Sequence, residues 1–351
     1  MTALPTIPEA AVPAAAPVLC VEAAVTSVTQ LCPSFRRITL AGPELAGLSP
    51  ALIGAGDPTR CRDAYIKLLV PPPGREPERA DLSVGLREGW FARPAEERGW
   101  MRTYTVRGVR RTTFCGIVVP ELVIDVVVHD GHAQDGPGSR WAATAAPGER
   151  VYLLGPGPQE RPWAAWDHGG ARRVLAVGDE TAAPALMSVA EEFTDTRSGI
   201  PAGGTRPRLD VVLEVPHAED VAAHRLPAEL PDVRLHVLPR AGGGEQAGHG
   251  HRAAVRLARL LDLPGAAVDD VLAGRRPQRG RGTPALSAGE NAAEPRAWSV
   301  ATAARADVPY VFLAGESGTV RALRRLCVDA AGIPKDHVSF MGYWRQGQAE
   351  S

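Results

Sequence analysis

Lysine is nearly missing from this 351-residue chain: of 39 basic residues only Lys67 and Lys335 are lysines. Heavy use of Arg, Ala, Gly and Pro follows genomic base composition as readily as function, so it carries no functional weight beyond singling out Lys67. Neither sign of charge is in excess, the net value being −1, so the chain as a whole exerts no long-range pull on nucleic acid or a membrane surface. No apolar run approaches the roughly 20 residues that span a bilayer. The Ala/Pro-rich start, Met1 to Pro17, holds no Lys or Arg and no apolar h-region. It reads as a disordered lead rather than a secretory signal. Cysteine is sparse and unpatterned: Cys20, Cys32, Cys61, Cys115 and Cys327 show no C-x-x-C or finger spacing. An odd, scattered set suits free thiols in a reducing cytoplasm.

Several catalytic signatures are absent too. There is no Gly-x-Ser-x-Gly elbow, no Gly-Lys-Thr/Ser phosphate loop and no His-Glu-x-x-His. The pairs Gly54/Gly56 and Gly155/Gly157 precede no helix and read as turns. His249-x-His251 offers two donors with no neighbouring Cys or carboxylate cluster in sequence, so no metal site is expected. The arginines at 275–281 read as a solvated linker rather than a nucleic-acid surface.

What is present is 44% apolar, with length for two domains that each bury a core. The first half has the grammar of strands: Cys20 to Thr29, Phe35 to Leu40, Ala64 to Val70, Met101 to Arg107, Leu122 to Val128 and Arg150 to Leu154, divided by turn residues. Arg75 to Trp100 is polar and broken, a loop insertion. Such a series predicts a closed antiparallel barrel. The second half alternates: strands at Arg173 to Val177, Leu209 to Val215, Val233 to Leu238, Val308 to Ala314 and Val338 to Tyr343, with helices over about 182–193 and 319–330. That order predicts a parallel α/β sheet. The stretch 241–295 is rich in Gly, Ala and Arg, with one helix (Ala253 to Leu261) and an otherwise low-complexity, mobile insert.

Four segments carry chemistry. In Arg102-Thr103-Tyr104-Thr105-Val106-Arg107, strand alternation projects Arg102 and Tyr104 together, a cation for phosphate and a ring for stacking; an ordinary amphipathic barrel strand reads the same way. The strand Ile124 to His129 feeds Gly-Pro-Gly-Ser-Arg-Trp-Ala (136–142), a small-residue loop opening a helix with Ser139 near its N-cap. Unpaired N–H groups there suit phosphate, or simply a capped helix. Gly178-Asp179-Glu180-Thr181 follows a compact strand, and open α/β sheets bind nucleotides at such ends. The last is Ala-Gly-Glu (314–316) with Gly-Tyr-Trp-Arg-x-Gly (342–347), whose aromatics suit a domain interface equally well.

Together, in this order, these motifs resemble the siderophore-interacting protein family of FAD-binding ferric-siderophore reductases, from about residue 20 to 347. The resemblance implies a ferredoxin-reductase-like layout: an FAD-binding β-barrel over 18–160 and an NAD(P)H-binding-like α/β domain over 170–351. It implies FAD contacts from Arg102, Tyr104, Thr105 and Val106, and further contacts from His129, Ser139 and Trp141. Asp179, Glu180 and Thr181 fall in the pyridine-nucleotide domain, and Lys67, Arg345 and, more loosely, Arg173 would hold an anionic ferric-siderophore. Electrons would come from NADH, NADPH or ferredoxin, in a cytoplasmic monomer without membrane insertion or nucleic-acid partner, and no protein residue need act as a general base. The insertions at 75–100 and 241–295, and the apolar Cys115 to Val119 where the family has a polar hairpin, depart from the pattern. Two other readings remain: a flavin reductase with another acceptor, such as a quinone or free ferric chelate, and a flavoprotein that binds siderophore without reducing it.

Overall fold

The structure, a computed structural model, describes residues 16–54, 62–128, 136–194, 207–226, 232–242, 244–277, 298–301 and 305–347. The lead up to residue 15, residues 278–295 of the expected insert, and His129 lie outside the described residues.

Seven strands build the first sheet: β1 (Val18–Cys32), β2 (Phe35–Ala41), β3 (Tyr65–Val70), β4 (Trp100–Thr105), β5 (Gly108–Phe114), β6 (Ile117–Val127) and β7 (Arg150–Pro156). All pairings are antiparallel, in the order β4-β3-β7-β1-β2-β6-β5. Alternation supplies the inner face. Val21, Ala23 and Val25 of β1 and Ile66, Leu68 and Val70 of β3 point into one core, which α1 (Pro50–Ile53) and α3 (Pro137–Thr144) help to close with Leu52, Trp141 and Ala142. On the outer face Leu69, Met101, Tyr152 and Leu154 are covered by Trp90. Trp90 belongs to the 75–100 insertion, which ends in α2 (Ala95–Arg98).

The expected closed barrel is corrected in one respect: the ladder does not close. Its two ends, β4 and β5, are consecutive in the chain, and the joining residues turn opposite ways. Val106 N–H donates to Ala64 O on the β3 side (2.7 Å), while Arg107 N–H donates to Val123 O on the β6 side (2.8 Å). Donors that would have sealed the seam are thereby spent on the inner neighbours. The β5–β6 hairpin, turning at Cys115-Gly116, also adds a strand, β5, that the sequence reading did not expect, and the apolar stretch Cys115 to Val119 supplies its turn and the start of β6.

The second sheet holds β8 (Arg173–Gly178), β9 (Arg208–Val215), β10 (Val233–Pro239), a small separate ribbon of β11 (Ala241–Gly242) and β12 (Glu245–Gln246), then β13 (Trp298–Ser299), β14 (Tyr310–Glu316) and β15 (Val338–Trp344). Its order is β10-β9-β8-β14-β15-β13, parallel except for β13. All seven residues of β14 are buried, as expected of a strand covered on both faces. The helix α4 (Ala183–Thr194) packs on one face. On the other lie α5 (His251–Leu260), α6 (Gly265–Leu272) and α7 (Ser317–Arg325). The expected insert thus contains two helices rather than one. Ala253, Leu257, Val268 and Val271 bury them in the domain core.

The two sheets are bolted together. Asp63 accepts from the N–H groups of Ala165 (2.7 Å) and Trp166 (3.1 Å), and Arg107 grips the Glu191 carboxylate through both terminal nitrogens. Phe35 of β2 lies inside the α/β core. Beside it, Asp220 accepts from Ser34 N (3.1 Å), Ser34 Oγ (2.8 Å) and His217 N (3.0 Å). Burial works against the Asp220 charge, but these bonds and Cys32 outweigh it and hold the carboxyl below its ordinary range. The stabilisation is therefore complete above the unfolded-state value of about 4 and is lost as pH falls through the lower folded value. Asp220→Ala, which orphans the Ser34 donors, is expected to cost about 2–3 kcal/mol in urea denaturation at pH 7.

Candidate functional site

The strand β4 and the entrance of α3 meet. Arg102 and Tyr104 share the face of β4 that turns to the barrel core, where Tyr104 packs. The first turn of α3 crosses them at Gly138: a Cβ there would collide with the Tyr104 hydroxyl and lie 3.4 Å from Arg102 Cγ. Only glycine allows this approach. The N-cap of α3 is Gly136, with Pro137 in the first turn and no side chain capping the N–H groups. Ser139 therefore sits at the third helical position, one turn inside the cap that the sequence suggests. Burial raises the Tyr104 hydroxyl pKa well above the phenol range, against the opposing pull of Arg102. The ring thus stays a neutral hydrogen-bonding surface at working pH.

These residues fit a dinucleotide. A guanidinium, a neutral aromatic ring and an uncapped helix entrance reachable only because residue 138 lacks a side chain are what a pyrophosphate with an attached flat ring requires. Two of the expected contact residues are buried. Val106 is fully buried in the barrel core, and Trp141 is buried there too, its Nε1–H donating to Glu149 (2.8 Å). Both belong to the barrel core.

Thr105 is on the opposite face of β4, with Lys67 of β3. Lys67 Nζ is 3.1 Å from Thr103 Oγ1 and sits over the Tyr65 ring at 5.9 Å. Thr105 meets the α/β domain through the hydroxyl of Tyr343, whose pKa burial pushes far above the phenol range. The next residue, Trp344, donates its indole N–H to Asp179 (3.1 Å). Residues 343–344 of β15 therefore join the barrel strand to the turn after β8, and Arg345 follows them, exposed.

That turn is densely wired. Asp179 accepts from Thr181 N (3.0 Å) and Oγ1 (2.6 Å), and from Glu316 N (2.7 Å). Gly315, at φ +134, leaves room for it, since a Cβ there would lie 2.6 Å from the carboxylate. Glu180 is held by both terminal nitrogens of Arg240, each at 2.7 Å. Arg240 also stands 3.5 Å from Glu214, which caps α5 through Gly250 N and Ala253 N (2.7 and 2.9 Å). His249 Nε2 lies 3.4 Å from Asp179 and 3.9 Å from Glu180. Burial foremost, then the Glu180 charge, raises the Asp179 pKa to about 6.

Asp179, Glu180 and His249 stand close enough to offer ligand atoms to one ion. Arg240 already fills the cation's place on both Glu180 oxygens, and Asp179 accepts three N–H groups and a hydroxyl, while His249 Nε2 is buried with no hydrogen-bond partner among the described residues. His249, which lacks acidic neighbours in sequence, acquires them in the fold. Arg173 is not brought to this site. It opens β8, about 20 Å of strand from Asp179, and its guanidinium donates to Leu260 O. Sequence reasoning missed Arg240 and Glu214, which follow no motif, and weighed His249 only as a metal ligand; Glu316 and Tyr343 lay within quoted motifs without a role.

Comparison with known proteins places this arrangement in a lineage. Residues 24–160 match the family model described as the siderophore-interacting FAD-binding domain, and residues 171–347 match that of the siderophore-interacting protein. An uncharacterized protein of Mycobacterium tuberculosis is 30% identical over 167 residues, 48% of this chain and 51% of that protein. The ferric vibriobactin reductase ViuB of Vibrio cholerae is 29% identical over 187 residues, 52% and 54% of the two chains. The chain thus spans about half the length of the curated relatives it matches. Among solved structures, the siderophore-interacting protein SipS from Aeromonas hydrophila superposes with TM-score 0.54 at 25% identity, over 94% of this chain and 93% of that one. A siderophore utilization protein from T. fusca does so with TM-score 0.56 at 22% identity, over 96% and 97%.

Proposed function

The chain belongs to the siderophore-interacting protein family, and from that premise we propose that it is an FAD-dependent reductase that releases iron from an anionic ferric-siderophore, with electrons from NAD(P)H or ferredoxin. The observation that carries the reading is the meeting of Arg102 and Tyr104 with the uncapped entrance of α3 at Gly138. When bound, FAD would supply the conversion of a two-electron donation into single-electron delivery to Fe(III).

The chain's own residues bind and orient. Arg102 and the α3 N–H groups hold phosphate, and Tyr104 with Thr105 flanks the ring. Lys67 and the exposed Arg345 offer positive charge to a negatively charged chelate. Fe(II), softer and less charged than Fe(III), is held less tightly by hard oxygen ligands and leaves. Asp179, Glu180 and Thr181 shape the strand end where a pyridine nucleotide would approach. No general base is required, which agrees with a site whose acids are spent on structural hydrogen bonds.

The test is anaerobic. Purified protein should carry a flavin absorption band that bleaches with NAD(P)H or reduced ferredoxin and returns on adding ferric-siderophore. A band that never bleaches would leave a binding protein, and equal turnover with quinones or simple ferric chelates would make it a flavin reductase of another kind. Lys67→Gln is expected to slow ferric-siderophore reduction about tenfold at low ionic strength and much less at 0.5 M salt, since screening removes the attraction it supplied. Rates that fall equally at both salts would take Lys67 out of the substrate site.

A further inference from the structure

The outer side of α5 forms, with the edge strand β10, a cleft of about 950 Å3. Its charged lining residues are all arginines, Arg252, Arg256 and Arg259, with His236 and His251 beside them. Arg252, Arg256 and Arg259 stand at i, i+4 and i+7, so their guanidinium groups share one face of the helix. The opposite face buries Ala253, Ala254, Leu257 and Ala258 in the core. Like charges at this spacing destabilise a helix, and no described carboxylate lines the cleft to offset them.

The arrangement beneath the cleft is equally one-sided. Arg256 Nη2 lies 3.1 Å from the ring nitrogens of His236. His236 Nε2 is 3.6 Å from Asp210 Oδ1, an oxygen that accepts no hydrogen bond. The buried Nε–H donors of Arg252 and Arg256 likewise have no acceptor among the described residues. The helix end plays no part, since Glu214 already caps α5. Side chains alone make this field. It lies along the flank of the sheet on the outer side of α5, and Gly248 of its lining is the chain neighbour of His249 beside the turn after β8.

We infer that this cleft binds a ligand carrying two or more phosphate groups. Three guanidinium groups spread over two helical turns call for several negative charges on one molecule, and each phosphate offers oxygens that a guanidinium grips in pairs. A single carboxylate would neutralise only one of the three. The volume falls in the range of small-molecule sites, and Leu238 and Val255 add an apolar wall. The phosphates belong either to a nucleotide or to a free oligophosphate.

Calorimetric titration of the purified protein, carrying whatever flavin it holds, at 0.15 M NaCl tests this with tripolyphosphate, ADP, AMP and an oligoglutamate peptide. Saturable binding of tripolyphosphate or ADP, tighter than AMP, is expected. Tighter ADP than tripolyphosphate identifies a nucleotide resting its base on the apolar wall; the reverse, or parity, identifies free oligophosphate. Arg252→Gln with Arg256→Gln should weaken binding about tenfold or more. Arg259→Gln, at an exposed position that leaves the core untouched, should weaken it less but measurably. Arg75→Gln with Arg87→Gln removes the same charge from the barrel domain and should change nothing. The inference is overturned if no phosphate compound saturates, if the barrel double variant weakens binding equally, or if oligoglutamate binds as tightly and is lost with the same substitutions, which would make the cleft a face for an acidic protein.

Discussion

Gly138→Val is expected to give a colourless protein, with the dissociation constant for FAD raised about a hundredfold. A Cβ at this position already runs into the Tyr104 hydroxyl and touches Arg102. The two further methyl groups of valine occupy the space where strand and helix meet. Tyr104 and Arg102 must move together, so the ring platform and the phosphate cation are lost in one substitution. The helix itself tolerates the change, because Gly138 lies in a first turn and has no left-handed backbone angle. Overpacking should cost about 1–3 kcal/mol, leaving a folded protein whose far-UV circular dichroism matches the parent. Arg102→Ala should share the loss of flavin without the steric cost. Purification of Gly138→Val with a full complement of flavin would remove the β4–α3 junction from the cofactor site.

The second large effect is on stability. Arg240→Ala strips both hydrogen bonds from Glu180 and the nearby charge from Glu214, leaving buried carboxylates without a cation. Removing one partner of a buried ion pair costs about 3–5 kcal/mol, enough to shift a urea midpoint far to the left. The pH dependence has a definite sign. An Asp raised above its unfolded value, as Asp179 is, destabilises the fold above its folded pKa, and the penalty fades as pH falls from about 6 towards 4. Loss of the Arg240 charge, which faces Asp179, pushes Asp179 further the same way. The deficit of the variant should therefore be largest at pH 7.5 and shrink at pH 5. A deficit that is flat across that range would mean the carboxylates keep another counter-charge.

How much of this was legible in the sequence differs from residue to residue. Strand grammar located β1, β2, β3, β4, β6 and β7, because one-sided burial leaves a period of two that survives in a single chain. It missed β5, whose residues alternate irregularly, and it missed the open seam. The seam depends on where two backbone N–H groups find partners, which side-chain patterns do not encode. The helix α5 was legible over 253–261, but composition hid α6: Ala267 is a core residue here, yet in a Gly/Ala/Arg-rich stretch it looks like low complexity. The convergence of Arg102 and Tyr104 with Gly138 was readable in its parts, since i, i+2 alternation and small residues at a helix start each leave a trace. Arg240 and His249 were not, because their partners lie 60 and 70 residues away from them in the chain, at Glu180 and Asp179. Trp141 shows the converse: it lies within a motif, and its place in the fold is a core residue.

The unsealed seam between β4 and β5 bears on motion. An interior strand is fastened by two ladders, but β4 is fastened by one, to β3. Peeling it away costs roughly half the backbone bonds that freeing an interior strand would. The wall segment bearing Arg102, Tyr104 and Thr105 is thus among the cheapest parts of the barrel to displace, and its amides should exchange with solvent sooner than those of β1 or β2. A bulky planar guest can therefore be admitted by flexing one border of the barrel, with the remaining five ladders left whole.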